Sequence, residues 1–345
     1  MAGAAFNPLD SLVTNSPDIA EEAALLADAL VYDEPGKEGE AHWNEEAKAL
    51  IGGIILYIAE TEPADRRNLS TLRQYLTLAP DTFLELLEAM QTITGCHGLI
   101  ARAANRHMAK SDREAAGVLS AAQRHTHFLD SPRMGQVMSR SDFRFRDLKR
   151  TTGTVFLVLS PDRLGTYSRW LRLLVSQSLT DMAQVGGASA SPVLYLLDEF
   201  AALGHLAAVE RAMGLMAGYG VQLWPILQDI HQLRSIYGKA AGTFLSNAGV
   251  FQVFGVNDHD SARMVSDLLG QETVVFQTMS RNMDSDQSGI SYGQQHTGRP
   301  LLTPDEVRNM KVDVELLFLS GQRPITANKL RYFADREFTG LYDVD

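Results

Sequence analysis

A single cysteine, Cys96, leaves no internal disulfide possible and fits a reducing compartment. No stretch approaches the roughly 18 apolar residues needed to cross a bilayer, and the N-terminus lacks the layout of a signal peptide, so the chain is expected to be soluble. The histidines form no zinc pattern, since His125-x-His127 is the only close pair and Cys96-His97 stands alone. There is no GxSxG elbow for a serine nucleophile. Phosphate cradles are missing too. No GxGxxG occurs, and the only Gly-Lys pairs, Gly36-Lys37 and Gly238-Lys239, have Val31 and Leu233 where GxxxxGK[ST] requires glycine. Basic charge is also scarce. The net charge of −11 argues against a general nucleic-acid coat.

What is present is enough for a sizeable core. The 345 residues, 45% of them hydrophobic, suffice for one large domain or two. Charge is uneven. Residues 18–46 hold ten acids against Lys37, whereas residues 133–150 hold Arg133, Arg140, Arg144, Arg146, Lys149 and Arg150 against Asp142 and Asp147. Asn7-Pro8 and Ser16-Pro17 punctuate an irregular start. Helices are expected over 18–30 and 42–58, with a polar loop at 33–40 between them. Residues 64–130 are helical by every local sign, with Asn68, Pro80 and Ser111 at helix starts and a break at 95–98.

From Gly153 the pattern changes to short apolar runs alternating with helices. Strands are expected at 154–159, 193–197, 221–227, 250–254 and 315–319, with an edge strand at 325–332. Helices fall near 166–184, 205–217, 230–237 and 258–269. This alternation predicts βαβ units and a largely parallel, doubly wound α/β sheet. Residues 186–191 (GGASAS) read as a flexible connector, and 278–298 as a mobile polar loop.

One stretch organises the rest: Pro192 to Gly204, PVLYLLDEFAALG. A strand apolar enough for burial on both faces ends in Asp198 and Glu199. In a phosphate-handling α/β protein this is a Walker B arrangement, in which the Asp holds Mg²⁺ and the Glu activates water. An acidic helix cap is the plainer alternative. Gln228 stands beyond the next apolar run, where an amide can sense a γ-phosphate or cap a loop. Arg102, Arg106, Lys110 and Arg113 recur at steps of 4, 4 and 3. On a single helix they would share one basic face, suited either to a phosphate backbone or to solvent. Arg144 and Arg146 join them as candidate nucleic-acid contacts.

LLDEFAALGHLAAVERAMGLMAGYGVQLWPILQDIHQL (196–233) resembles the TraG/TraD-type coupling proteins of conjugation and type IV secretion. So do FNPLD near the start, NDHDSARMVSDLLG (257–270), and RPLLTPDEVRNM…LLFLSGQRPI…KLRYF (299–333), in the family's order. The resemblance implies a RecA-like P-loop NTPase-type parallel sheet with an inserted all-α domain. Its divisions here would be a partial nucleotide-binding domain over 1–56, the all-α domain over 57–145, and the nucleotide-binding domain with Walker B over 146–345. It implies ATP and Mg²⁺ as cofactors, with Asp198 as Mg²⁺ ligand through water, Glu199 as catalytic acid and Gln228 as γ-phosphate sensor. Arg211 and Arg263 are candidates for an arginine finger, because the position some members use reads Ala217-Gly218-Tyr219-Gly220 here.

The resemblance also implies partners: single-stranded DNA, relaxase, relaxosome or effector proteins, other type IV secretion ATPases, and identical subunits in a homo-hexamer on the cytoplasmic side of the bacterial inner membrane. The family's membrane helices and Walker A loop would precede FNPLD and are absent from this sequence. The expected function is therefore part of a coupling-protein ATPase, inactive alone unless another chain supplies the P-loop. The alternative is a non-catalytic cytosolic adaptor that binds relaxosome proteins or single-stranded DNA. A related RecA-like DNA translocase is a third reading, against which the DEFAALG and RPLLTPDEV blocks speak.

Overall fold

The computed structural model describes residues 3–32, 41–185, 191–281 and 290–343. The chain divides into two compact units, residues 1–227 with 235–241, and residues 228–234 with 242–345. The expected polar loop at 33–40 and the connector at 186–190 lie outside the described residues.

In the first unit, Asn7 caps a short 3₁₀ turn, Pro8–Ser11, by accepting from Leu9 N–H. Its Nδ2 donates to the Arg67 carbonyl at 2.7 Å. Phe6 packs on Phe143 and Phe145, so FNPLD is a fastening point between the start of the chain and residues 141–145. Next come α1 (Ile19–Leu30) and α2 (Ala41–Thr61), where the run ALIGGIILYIA buries Leu50, Ile51, Ile54, Ile55 and Ile58. Around α2 pack α3 (Leu69–Leu76), α5 (Leu99–Met108) and α6 (Asp112–Thr126), with α4 (Pro80–Thr92) against α5.

The helix starts fall where the capping residues stand. Asn68 Oδ1 accepts from the Ser70 and Thr71 amides, Pro80 occupies the first position of α4, and Ser111 accepts from Glu114 N–H. Each cap satisfies amides that the helix itself leaves unbonded. Gly53 is required where α2 and α5 cross, because a Cβ there would fall on the Ala103 side chain. Residue 57 lies inside α2, and the helices of 57–145 share one compact unit with residues 146–227.

After α7 (Pro132–Val137) and the 3₁₀ turn Phe145–Lys149, α8 (Pro161–Gln184) packs against α1. Then β1 (Val193–Leu197), α9 (Ala207–Leu215) and β2 (Val221–Pro225) form a βαβ unit. Its two strands pair in parallel from Val193↔Val221 to Leu197↔Pro225. The expected strand at 154–159 is a correction. It joins no ladder among the described residues, and Phe156 and Val158 stand 81% and 82% exposed. A strand needs a hydrogen-bonding neighbour, and none of the described segments provides one.

The α10 helix (Ile230–Tyr237) crosses the division between the units, and α11 (Ala241–Asn247) follows. In the second unit, β3 (Val250–Val253) leads to α12 (His259–Leu269), capped by Asp258 on the Ser261 amide. Then come β4 (Gln271–Arg281), β5 (Ile290–Pro300), α13 (Pro304–Arg308), β6 (Val314–Leu319) and β7 (Ile325–Asn328). Val253, Ala262, Val265, Val307 and Leu316 form its core.

Two expectations are corrected here. The β3-β6-β7 sheet is antiparallel throughout, so among the described residues the only parallel pairing is β1 with β2. The polar stretch 278–298, read as a loop, belongs for its described part to an eleven-residue antiparallel ribbon, β4 with β5. Residues 278–298 are polar and rich in Gly and Ser, so no sustained apolar alternation marks the strands there in the sequence.

Candidate functional site

The end of β1 is tied to the end of β2. Ile226 N–H donates to the Leu197 carbonyl at 3.0 Å, and Phe200 N–H donates back to the Ile226 carbonyl at 3.2 Å. Between these bonds the chain turns through Asp198 and Glu199. Asp198 Oδ1 accepts from the Glu199 amide at 3.0 Å, which leaves its other oxygen for a ligand. Glu199 has φ 49°, ψ 41°, a left-handed conformation that non-glycine residues avoid. Such strain clusters at sites where a side chain must be aimed. Both acids are exposed to solvent, so what marks them is placement and backbone strain, not burial. No α-helix starts at them. A 3₁₀ turn, Phe200–Leu203, follows and ends on Gly204, so the plain helix-cap alternative does not describe this geometry.

The acids stand at the lining of an open cavity of about 830 Å³ between β1, α8 and residues 148–158. One face of the β1–β2 pair is uncovered. Leu194, Leu196 and Trp224 lie 53%, 57% and 46% exposed, and the register puts Leu196 opposite Trp224. Apolar exposure of this extent is unusual in a strand pair of a doubly wound fold, whose sheets are covered on both faces.

Of the other predicted residues, Arg211 belongs to the same unit as the acids, and Gln228 and Arg263 belong to the second unit. Gln228 is exposed two residues beyond Ile226, and its backbone N–H donates to Gln232 Oε1 at 3.0 Å. Arg211 lies exposed on α9. Arg263 lies exposed on α12, beside Arg234, Asp260 and Asp267 in a shallow depression.

The expected single basic face is a correction. Arg102 and Arg106 are on α5, Lys110 is in the turn after it, and Arg113 is on α6, because Ser111 starts a new helix. The charges are also engaged. Arg106 donates two hydrogen bonds to Glu46, at 2.9 and 2.6 Å, and Lys110 bridges Glu46 and Glu114 at 2.9 and 3.2 Å. The Arg106 hydrogen bonds, with Lys110 adding to them, hold the Glu46 carboxyl down at about 2. Arg102 Nη2 donates to the His97 carbonyl at 2.7 Å. Arg144 is exposed, while the charge of Arg146 acts inward on the carboxylates of Asp181 and Glu22.

His125 is buried with a ring nitrogen 2.8 Å from Asn44 Oδ1, and His127 pairs with Asp130 at 3.0 Å. Sequence reasoning passed over the groups that hold the turn after the acids: Arg172 on α8, Tyr32, and Tyr237 on α10. The signal was there in WLRLLV, a lone charge inside an apolar helical run.

Residues 1–342 match the family model described as Type IV secretory system Conjugative DNA transfer. The chain belongs to this family. It is 28% identical to the conjugal transfer protein TraG of Escherichia coli over 98% of this chain and 58% of that protein. It is 34% identical to VirD4 of Rhizobium rhizogenes over 61% of this chain and 32% of that protein. Thus it spans about half the length, or less, of the curated relatives it matches. The solved plasmid coupling protein TrwB in complex with ADP and Mg²⁺ superposes with TM-score 0.70 at 17% identity, over 97% of this chain and 73% of that one. The fold is therefore the RecA-like one, with a helical domain joined to the strand-bearing part. No described helix is long and apolar enough to cross a membrane.

Proposed function

We propose that these 345 residues form the magnesium- and water-handling half of a type IV secretion coupling ATPase, one that brings DNA–relaxase or effector substrates to the secretion channel. The observation that carries the reading is the acid pair Asp198–Glu199, both exposed and Glu199 strained, at the end of a parallel strand beside an open cavity. Bound Mg²⁺ neutralises charge on the nucleotide phosphates. Asp198, with one oxygen uncommitted, is suited to hold that ion through water. Glu199, on the rigid left-handed turn, orients the attacking water and accepts its proton. Gln228 senses the γ-phosphate, and Arg211 or Arg263 reaches the site of a neighbouring subunit as an arginine finger. That TrwB has been solved with ADP and Mg²⁺ supports this choice of ligand.

The phosphate grip has to come from a polypeptide segment outside these residues, since no GxxxxGK[ST] occurs among them. The uncovered face of Leu194, Leu196 and Trp224 beside the acids is where such a segment would dock. ATP turnover tests this. The chain alone turns over no ATP, and a polypeptide bearing the P-loop restores Mg²⁺-dependent hydrolysis. Leu196→Lys, placed on a face already exposed, leaves stability within about 0.5 kcal/mol but blocks that restoration. Hydrolysis by the chain alone, lost in Glu199→Gln, would overturn the division of labour.

For the nucleic-acid partner we propose Arg144 rather than the Arg106–Lys110 pair, whose charges Glu46 already engages. Arg144→Glu weakens single-stranded DNA retention on filters at low salt; unchanged retention refutes it. In this reading the assembly is a ring of identical subunits at the cytoplasmic face of the inner membrane.

A further inference from the structure

Arg172 lies in the middle of the apolar run of α8 and is only 4% exposed. A buried guanidinium is costly unless it is hydrogen-bonded, and among the described residues no carboxylate pairs with this one. Instead its Nη1 donates to two main-chain carbonyls, Leu203 at 2.6 Å and His205 at 2.7 Å, and the Tyr32 ring covers it with the guanidinium carbon 4.4 Å from the ring centre. Burial draws its pKa down to about 10, so it is still charged at neutral pH.

The two carbonyls flank Gly204, which has φ 63° and ψ −163°. A Cβ at Gly204 would stand 3.3 Å from the Tyr32 ring and 3.8 Å from Arg172 Nη1, in a backbone conformation that side chains rarely adopt. Tyr237 holds the turn as well. Its ring stacks on Phe200 with 5.8 Å between centres, and its hydroxyl accepts from Leu206 N–H at 3.4 Å. The turn leaving the acid pair is thus clamped at its far end by one buried cation. Its near end is the strained Glu199, whose carbonyl accepts from Ala202 N–H at 2.8 Å.

We propose that Arg172 is a positioning residue for Glu199, fixing the 200–205 turn through the Leu203 and His205 carbonyls so that the strained acid keeps its direction. The functional half of this inference rests on the ATP reading above; the clamp itself does not. Hydrogen exchange on the whole chain separates them. The amides of Phe200, Ala202 and Gly204 are hydrogen-bonded within or beside the turn. In Arg172→Met they exchange at least tenfold faster, while amides of α2 and β3 keep their rates. Arg172→Lys, which retains the charge without the planar face on Tyr32, falls between. Gly204→Ala loosens the same amides with the buried charge intact, and so decides the matter if Arg172→Met does not fold.

Rates unchanged in these amides, or raised equally throughout the chain, overturn the clamp. In the restored ATP assay Arg172→Met lowers kcat at least tenfold with KM for ATP within twofold. A loosened turn with full kcat overturns the positioning role. If the restored parent shows no turnover, the ATP reading fails, and the exchange rates still decide the clamp.

Discussion

Glu199 sits at φ 49°, ψ 41°, and its backbone strain can be measured apart from its chemistry. Glu199→Ala removes the carboxylate and keeps the left-handed penalty; Glu199→Gly removes both. The left-handed conformation costs an L-residue about 1–2 kcal/mol. Glycine gives back part of that gain, because its unfolded chain is freer by about 0.4–1 kcal/mol. Glu199→Gly should therefore leave the chain more stable than Glu199→Ala does, by roughly 0.5–1 kcal/mol, the reverse of the usual ranking in regular structure. Urea unfolding followed by tryptophan fluorescence suits the comparison, since Trp43, Trp170 and Trp224 all belong to the first compact unit. Should Glu199→Ala prove as stable as Glu199→Gly, or more so, the strained turn is refuted. With it would go the structural reason for treating Glu199 as an aimed acid.

Two further predictions concern the helical part. Glu46 has its folded pKa lowered to about 2, mainly by Arg106 and then by Lys110. Its stabilisation is therefore present above the ordinary value of 4.5 and is lost as pH falls from there towards 2. Because Arg106 is half-exposed, Glu46→Gln should cost only about 1 kcal/mol at about pH 7, and the deficit should close in urea melts taken as the pH approaches 2. A deficit that persists there contradicts the ion-pair assignment. Gly53→Ala drives a methyl into Ala103 at the α2–α5 crossing and should cost about 1–3 kcal/mol by overpacking. A neutral result would mean that the crossing relaxes freely.

Much of this was legible from residue types, and the exceptions have physical causes. Asn68, Pro80 and Ser111 announce helix starts because capping is local chemistry, needing only the next three amides. The β1 run VLYLL was equally plain as a strand, whereas its terminal acids read as well as a helix cap until the 3₁₀ turn Phe200–Leu203 is seen to follow them. What failed was long-range. Residues 154–159 have strand composition, but pairing depends on a neighbour that the sequence pattern does not contain. The stretch 278–298 is polar and rich in Gly and Ser, so its composition does not announce the β4–β5 ribbon. Whether Arg102, Arg106, Lys110 and Arg113 share a face depended on Ser111, which ends the register between α5 and α6. The Glu46 that engages two of them lies some sixty residues away in sequence. The Arg172 clamp likewise joins α8 to carbonyls thirty-one and thirty-three residues distant, and backbone carbonyls carry no sequence signature.

In the proposed division of labour, Asp198 and Glu199 handle the ion and the water of ATP hydrolysis, while the phosphate grip comes from elsewhere. Steady-state ATP turnover in the presence of Mg²⁺ tests it most directly, with the chain alone, the chain supplied with a P-loop-bearing polypeptide, and the same mixture carrying Glu199→Gln. No turnover is expected in the first, turnover in the second, and a loss of at least a hundredfold, about 2.7 kcal/mol in the barrier, in the third. Equal turnover in the second and third would contradict it.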